Sequence, residues 1–192
     1  MTPDTDAHRY GDCTDGELAA LALAGRQAAY RALMERHRAF VYRLVRGSTG
    51  DEDEALDVTQ TSFIAAFSAL ARYDGERPFR LWIARIALNK CHDWARRRMV
   101  RRFLTFAAPM GEAEQVADSA VPIDRAMADR QELARVNRAI AELSPVLKEP
   151  LLLRTVEGLS QAETAQILGI SEKAVETRLY RARKKLEEKL RD

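Results

Sequence analysis

Apolar residues recur at helical spacing along most of the chain, while the period-two alternation of a half-buried strand is nearly absent. Thr14 followed by Glu17 has capping-box spacing, which predicts a first helix whose apolar periodicity runs through Leu21 toward Val45. The stretch GSTGDEDE breaks that pattern. A second helix is expected from about Ala55, with Leu56, Thr59, Phe63, Phe67 and Leu70 near one face, and RYDGERP, containing Gly75 and Pro78, ends it. A third begins beside Pro78 and continues into a run of arginines. Advanced by 100° per residue, Phe79, Ile83, Ile86, Ala87 and Trp94 gather on one side of it and Arg85, Asn89, His92 and Arg96 on the other. Lys90 intrudes on the apolar side.

Between Thr105 and Ala128 the text changes. PMGEAEQVADSAVPID holds four acids, two prolines and no base, with little periodicity, and reads as a linker. Its 24 residues span at most about 80 Å when extended, so the flanking segments can work at separate points on a partner. Helical patterning resumes near Asp129 and stops at Leu143, where Ser144 and Pro145 read as an N-cap and first helical residue. Pro150 then removes a backbone donor and crowds Val146, at a cost of about 3 kcal/mol unless the helix bends, so a kink is expected. The expected fold is all-α: two small helical domains, 14–104 and 129–192, joined by a flexible acidic linker over 105–128.

The second domain ends in LSQAETAQILGISEKAVETRLYRARKKL, from Leu159 to Leu186. Ser160 and Glu163 repeat the capping-box spacing, Gly169 stands where a helix stops in a left-handed residue, and Ser171 can cap the next helix. In that next helix Val175, Leu179, Ala182 and Leu186 form a narrow apolar stripe. Lys173, Thr177, Tyr180, Arg181 and Lys184 lie opposite. This is the pattern of a helix-turn-helix whose second helix suits a major groove, with a basic amphipathic hairpin as the plainer alternative. Arg181 offers the directed donor fork that a base edge requires, whereas Arg183, Lys184 and Lys185 can neutralise phosphates without sequence choice. The other basic ridge, Arg85, Asn89, His92 and Arg96, follows an aromatic loop from Tyr73 to Phe79. Such a surface suits an unstacked single strand, and the alternative is a solvated basic face over ordinary core aromatics.

Composition narrows the classes. The chain has 192 residues, 46% apolar and 31% charged, which allows a core and leaves no apolar run long enough for a membrane span. Its 31 Lys and Arg nearly balance 29 Asp and Glu, so affinity for nucleic acid must come from local clustering. Cys13 and Cys91 match no metal-ligand spacing and are read as a surface residue and a small core filler. MTPDTDAHRY holds no secretory signal, and a cytoplasmic location is expected. No nucleophile–base pattern, glycine-rich phosphate loop or zinc signature stands out. Asp51, Glu52, Asp53, Glu54 and Asp57, with His8, His37 or His92, could be imagined as a metal site, but adjacent acids before a helix are usually helix-start charges. No catalytic residue, metal or cofactor is expected, and the chain is not expected to be an enzyme. A free-standing helix-turn-helix regulator, acting without a polymerase, is the main rival reading.

The order of parts carries a resemblance. AGRQAAYRALMERH, then DVTQTSFIAAF, then FRLWIARIALN, then LLLRTVEGLSQAETAQILGIS with VETRLYRAR, together resemble the extracytoplasmic-function sigma factors, small initiation subunits of bacterial RNA polymerase. The resemblance covers Asp15 to Arg102 and Glu132 to Leu190. It implies that the chain binds core RNA polymerase and directs promoter recognition. The first domain would clamp the coiled coil of the largest subunit through the helix holding Asp57, Gln60 and Phe63, where Thr61 replaces a common acid, and the flap would be a further polymerase contact. The loop from Tyr73 to Pro78 matches one that captures a base flipped from the melted minus-10 element, and Asn89 matches a residue lining that pocket. Thr177, Arg178, Tyr180 and Arg181 match residues facing the minus-35 duplex, and Glu176 stands where a basic residue is frequent. The acidic segment matches one that threads the polymerase cleft, as a nucleic-acid mimic or a solvated tether. The resemblance also implies a dedicated inhibitor, an anti-sigma factor.

Overall fold

The computed structural model describes residues 10–106 and 125–191, with side chains described for 10–104 and 131–191. No strand occurs among the described residues. Helix α1, Asp15–Leu23, opens with both halves of the expected capping box: the Glu17 amide donates to Thr14 Oγ1 at 3.2 Å and the Thr14 amide to Glu17 Oε2 at 2.7 Å. It does not continue to Val45. Gly25 adopts φ +87°, a conformation that L side chains avoid, and the chain turns there into α2, Gln27–Thr49. Asp15 ties the two together, its carboxylate meeting Arg36 at 2.8 Å and the buried His37 at 2.9 Å.

Helix α3, Glu52–Ser68, begins three residues earlier than its apolar pattern suggests. Asp51 caps it, Oδ1 accepting from the Glu54 amide at 3.1 Å, and the acids Glu52, Asp53 and Glu54 fill the first turn, where the helix dipole favours negative charge. Its buried face is Ala55, Val58, Thr59, Phe63 and Ala66, whereas Leu56, expected in that face, is 48% exposed. A short 3₁₀ turn, Leu70–Arg72, leads to the loop before α4, Phe79–Phe106. Phe79, Ile83, Ala87 and Trp94 are buried there and Ile86 half-buried, so the wheel assigned the two sides of α4 correctly.

The second bundle contains α5, Arg125–Ala141; α6, Pro145–Leu151; α7, Gln161–Leu168; and α8, Glu172–Arg191. Helices α4 and α5 extend into both ends of the segment expected as a linker, whose remaining stretch, 107–124, lies outside the described residues. The distortion expected at Pro150 takes the form of a widened π turn, Leu152–Val156, directly after α6.

The two bundles do not stand apart here. Their buried side chains form one continuous apolar cluster, with α2 packed on α5, α6 and the π turn, and α4 on α7. Gly47 permits the approach, because a Cβ added there would lie 2.5 Å from Leu152 Cδ2. Lys148 crosses the seam too, its Nζ donating to the carbonyls of Ser48 and Ala141, both at 2.7 Å. These carbonyls end α2 and α5, where helix acceptors lack intrahelical donors.

The Asp15 cluster has a pH consequence. Burial pushes its carboxyl up, but hydrogen bonds and charge from His37 and Arg36 outweigh that and hold it below its ordinary value of 3.8. The stability it adds is therefore present above that value and is lost as pH falls through the depressed one. Asp15→Asn is expected to unfold at lower temperature than the wild type at pH 7. In thermal unfolding followed from pH 7 to pH 2, the gap between the two should close only below pH 4.

Candidate nucleic-acid interfaces and docking surface

The helix-turn-helix is built as its sequence suggests. Ser160 and Glu163 form a reciprocal capping box, Ser160 Oγ accepting from the Glu163 amide at 3.1 Å and the Ser160 amide donating to Glu163 Oε2 at 2.7 Å. Gly169 ends α7 at φ +64°, and Ser171 Oγ accepts from the Ala174 amide at 3.2 Å to start α8. Gln161 Nε2 reaches the Glu172 carbonyl at 3.1 Å and fixes the angle between the two helices. Val175, Leu179 and Ala182 are buried, which turns the opposite side of α8 outward. There Lys173, Glu176, Thr177, Tyr180, Arg181 and Lys184 are exposed and Arg178 half-exposed. Tyr180, at 70% exposure, covers nothing in its own domain. Thr177 Oγ1 donates back to the Lys173 carbonyl at 2.9 Å, and Lys173 Nζ pairs with Glu176 at 2.8 Å. In the free chain that acid therefore holds one of the cations of the face.

The second site lies at the start of α4. Tyr73 is half-buried, its ring centroid 5.2 Å from those of both Phe79 and Trp82, and its hydroxyl donates to the Arg77 carbonyl. Burial, with the charges of Asp15, Asp74 and Glu76 adding, pushes the phenol up to about 12, so it remains a neutral donor at physiological pH. The loop is braced from behind, since a Cβ on Gly16 would come within 2.5 Å of the Gly75 carbonyl oxygen. Tyr73 and Trp82 then line a cleft of about 210 Å³ rimmed by Arg72, Arg77 and Arg85. An aromatic floor with a guanidinium rim can stack a base and hold its phosphate. Asn89 and His92 open instead onto an adjoining hollow of about 130 Å³, which Arg85 also lines. Arg96 is not brought to either cleft. It pairs with Asp93 and lines a separate groove of about 640 Å³ with Asp57 and Gln60.

The expected docking trio divides as well. Asp57 and Gln60 are exposed on α3, while Phe63 is only 4% exposed and packs against Phe67 at 5.8 Å between ring centroids. The apolar part of that surface is Leu56 and Ile64, 48% and 58% exposed, one turn to either side of Gln60. Sequence reading missed Ile64, although its position opposite the buried Ala55–Val58–Ser62 line was available. Trp82 was missed as a cleft residue although it lies one helical turn from Phe79.

Residues 33–101 match the family model for sigma-70 region 2 and residues 133–186 that for sigma-70 region 4. The chain is 41% identical over 175 residues to the RNA polymerase sigma factor CnrH of Cupriavidus metallidurans, covering 90% of this chain and 92% of that one. It is 28% identical over 173 residues to the ECF RNA polymerase sigma factor SigW of Bacillus subtilis, covering 88% and 92%. The solved structure of CnrH in complex with the cytosolic domain of CnrY aligns with TM-score 0.68 at 36% identity, over 92% of this chain and 96% of that one. RpoE of Bartonella quintana, solved with the anti-sigma factor NepR, shares the fold at 18% identity, with TM-score 0.65 over 84% and 96%. The chain belongs to the RNA polymerase sigma factors, and within them to the extracytoplasmic-function group. A sigma factor is a transcription initiation subunit that binds core polymerase and directs promoter recognition, which displaces the free-standing regulator considered above. No helix among the described residues is long and apolar enough to cross a membrane.

The cap and the outward face of α8 should separate in a stability assay. Ser160→Ala is expected to cost about 1 kcal/mol through two lost cap hydrogen bonds. Arg181→Ala should stay within about 0.5 kcal/mol of wild type, because that side chain supports nothing in the fold. Chemical denaturation of the two variants checks both.

Proposed function

We propose that the outward face of α8 reads the minus-35 duplex and that the α4 ridge with the Tyr73 loop captures the melted minus-10 strand. The observation that carries this reading is that α8 buries one stripe completely and leaves Thr177, Tyr180 and Arg181 with nothing of their own domain to cover. Arg181 presents a fork to a guanine edge, and Thr177 and Tyr180 add hydrogen bonding and apolar contact. Lys173, Lys184 and Arg178 neutralise phosphates. Glu176 can accept from a cytosine amino group, which gives this chain a preference of its own in the hexamer.

On α4, a base flipped from the opened strand stacks against Tyr73 and Trp82, with Arg85, Asn89 and His92 taking its backbone and edge. Binding energy is then spent only on the melted state, which shifts the closed-to-open balance of the promoter. Asp57 and Gln60, with Leu56 and Ile64, form the face for the coiled coil of the largest polymerase subunit. Phe63 supports that face from inside, and Arg96 belongs with it rather than with the strand. The second domain meets the polymerase flap. The chain works in the cytoplasm, without catalysis of its own, and is held inactive by an anti-sigma factor. The similarity to CnrH, solved with the cytosolic domain of CnrY, supports an inhibitor of that kind.

With core polymerase and promoter fragments drawn from a genomic library, Arg181→Ala should weaken upstream recognition roughly tenfold to a hundredfold, the worth of one bidentate base contact. Asn89→Ala should keep upstream occupancy and lose permanganate-reactive open complexes. Identical behaviour of the two variants on every template would overturn the division of labour, and failure of the wild type to bind core would overturn the docking assignment.

A further inference from the structure

The polar contacts across the seam gather at the exit of the π turn. The Glu157 side chain has 0% exposure and is gripped from the first bundle. Arg43 of α2 makes a two-pronged bond, Nε to Oε1 at 3.1 Å and Nη2 to Oε2 at 2.9 Å. Arg80, in the first turn of α4, donates Nη2 to the Glu157 carbonyl at 2.7 Å and lies 3.5 Å from Oε2. Both guanidinium groups retain solvent contact while the carboxylate has none. Arg80 Nε is buried without a partner, so the grip is incompletely satisfied on one side.

What the seam covers gives the grip its meaning. Gln166 and Ile167 of α7 form one wall of the Tyr73–Trp82 cleft, and Ile167, Leu168 and Glu149 wall the hollow at Asn89. His92 is engaged by the Glu149 carboxylate, which puts a negative charge where a strand would bring its phosphates. A strand entering either cleft must displace these groups. Distance makes the same demand, because the minus-35 and minus-10 elements lie about 25 base pairs apart, roughly 85 Å along B-DNA. Two bundles that share one core cannot reach both.

We propose that the chain carries its own closed state, in which the Arg43–Glu157–Arg80 clamp seats the helix-turn-helix unit over the strand-capturing face, and that seating on core polymerase breaks this clamp. The proposal rests on the assignment of the α4 ridge and Tyr73 loop to the melted strand. Opening is physically accessible: Glu157 regains water as it loses its arginines, so neither state leaves a bare buried charge. Removing the arginines leaves the carboxylate buried and unpaired in the closed state alone, which tilts the balance toward the open one.

Two kinds of full-length variant test this. Arg43→Ala with Arg80→Ala removes the clamp from its exposed side, and Gly47→Gln wedges the seam at Leu152 while improving the helix propensity of α2. Small-angle scattering should give a radius of gyration about a fifth above wild type for both, with helix content by circular dichroism unchanged. Affinity for a fluorescein-labelled random single-stranded 12-mer pool, read by anisotropy without polymerase, should rise up to about tenfold as the competent fraction grows. Folded variants of both kinds that keep the wild-type radius overturn the clamp. Swelling with no gain in strand affinity overturns the covering of the strand face. Open complexes formed by Asn89→Ala on core polymerase would remove the strand assignment itself, and scattering judges the clamp independently of that result.

Discussion

Glu157 is fully withdrawn from solvent, and an ionised carboxylate in such a place is tolerable only where cations and donors replace its lost water. The chain supplies them from the other bundle, through Arg43 and Arg80, and so the geometry of the whole molecule turns on a contact between residues 114 positions apart. Around it the seam closes on the same terms. Lys148 satisfies carbonyl groups at the ends of α2 and α5, and Gly47 lets Leu152 approach the backbone of α2. Each contact replaces something that water would otherwise provide, which is why the seam is specific and still releasable.

The surfaces left over are the ones with chemistry to offer. Once Val175, Leu179 and Ala182 are buried, α8 has no remaining use inside the fold for Tyr180 or Arg181. On α4, burial of Phe79, Ile83 and Ala87 turns Arg85 and Asn89 outward beside an aromatic loop that Gly16 and the Tyr73 hydroxyl hold in shape. The two ridges differ as their proposed ligands differ. The first is a convex, charged helix face of the kind a groove accepts, and the second borders stacking clefts of the kind an unstacked base requires.

Much of this was legible along the chain because it is local. The capping boxes at Thr14 and Ser160, the left-handed Gly169 and the stripe on α8 each involve residues within a turn or two of one another. The errors were also local in origin. Gly25 was passed over as a break inside one long helix, because a glycine in a helical pattern does not declare its φ. Leu56 and Phe63 were placed on one face by their apolar character alone. Only the position of the neighbouring helices determined that Phe63 is core and Leu56 is surface. Arg96 shares a helix face with Asn89 on a wheel, yet α3 packs beside α4 at that level and draws it into another groove.

The sequence by itself determined where helices start and stop, which stripe of each is apolar, and that the chain is a sigma factor of the extracytoplasmic-function group, since capping, periodicity and motif order are properties of neighbours in the chain. Tertiary structure alone decided that the two bundles share a core, that Glu157 is sealed between two arginines, and that α7 stands over the strand-capturing clefts. Those depend on which buried charges and carbonyls meet across the seam, and no spacing along a helix encodes a partner more than a hundred residues away.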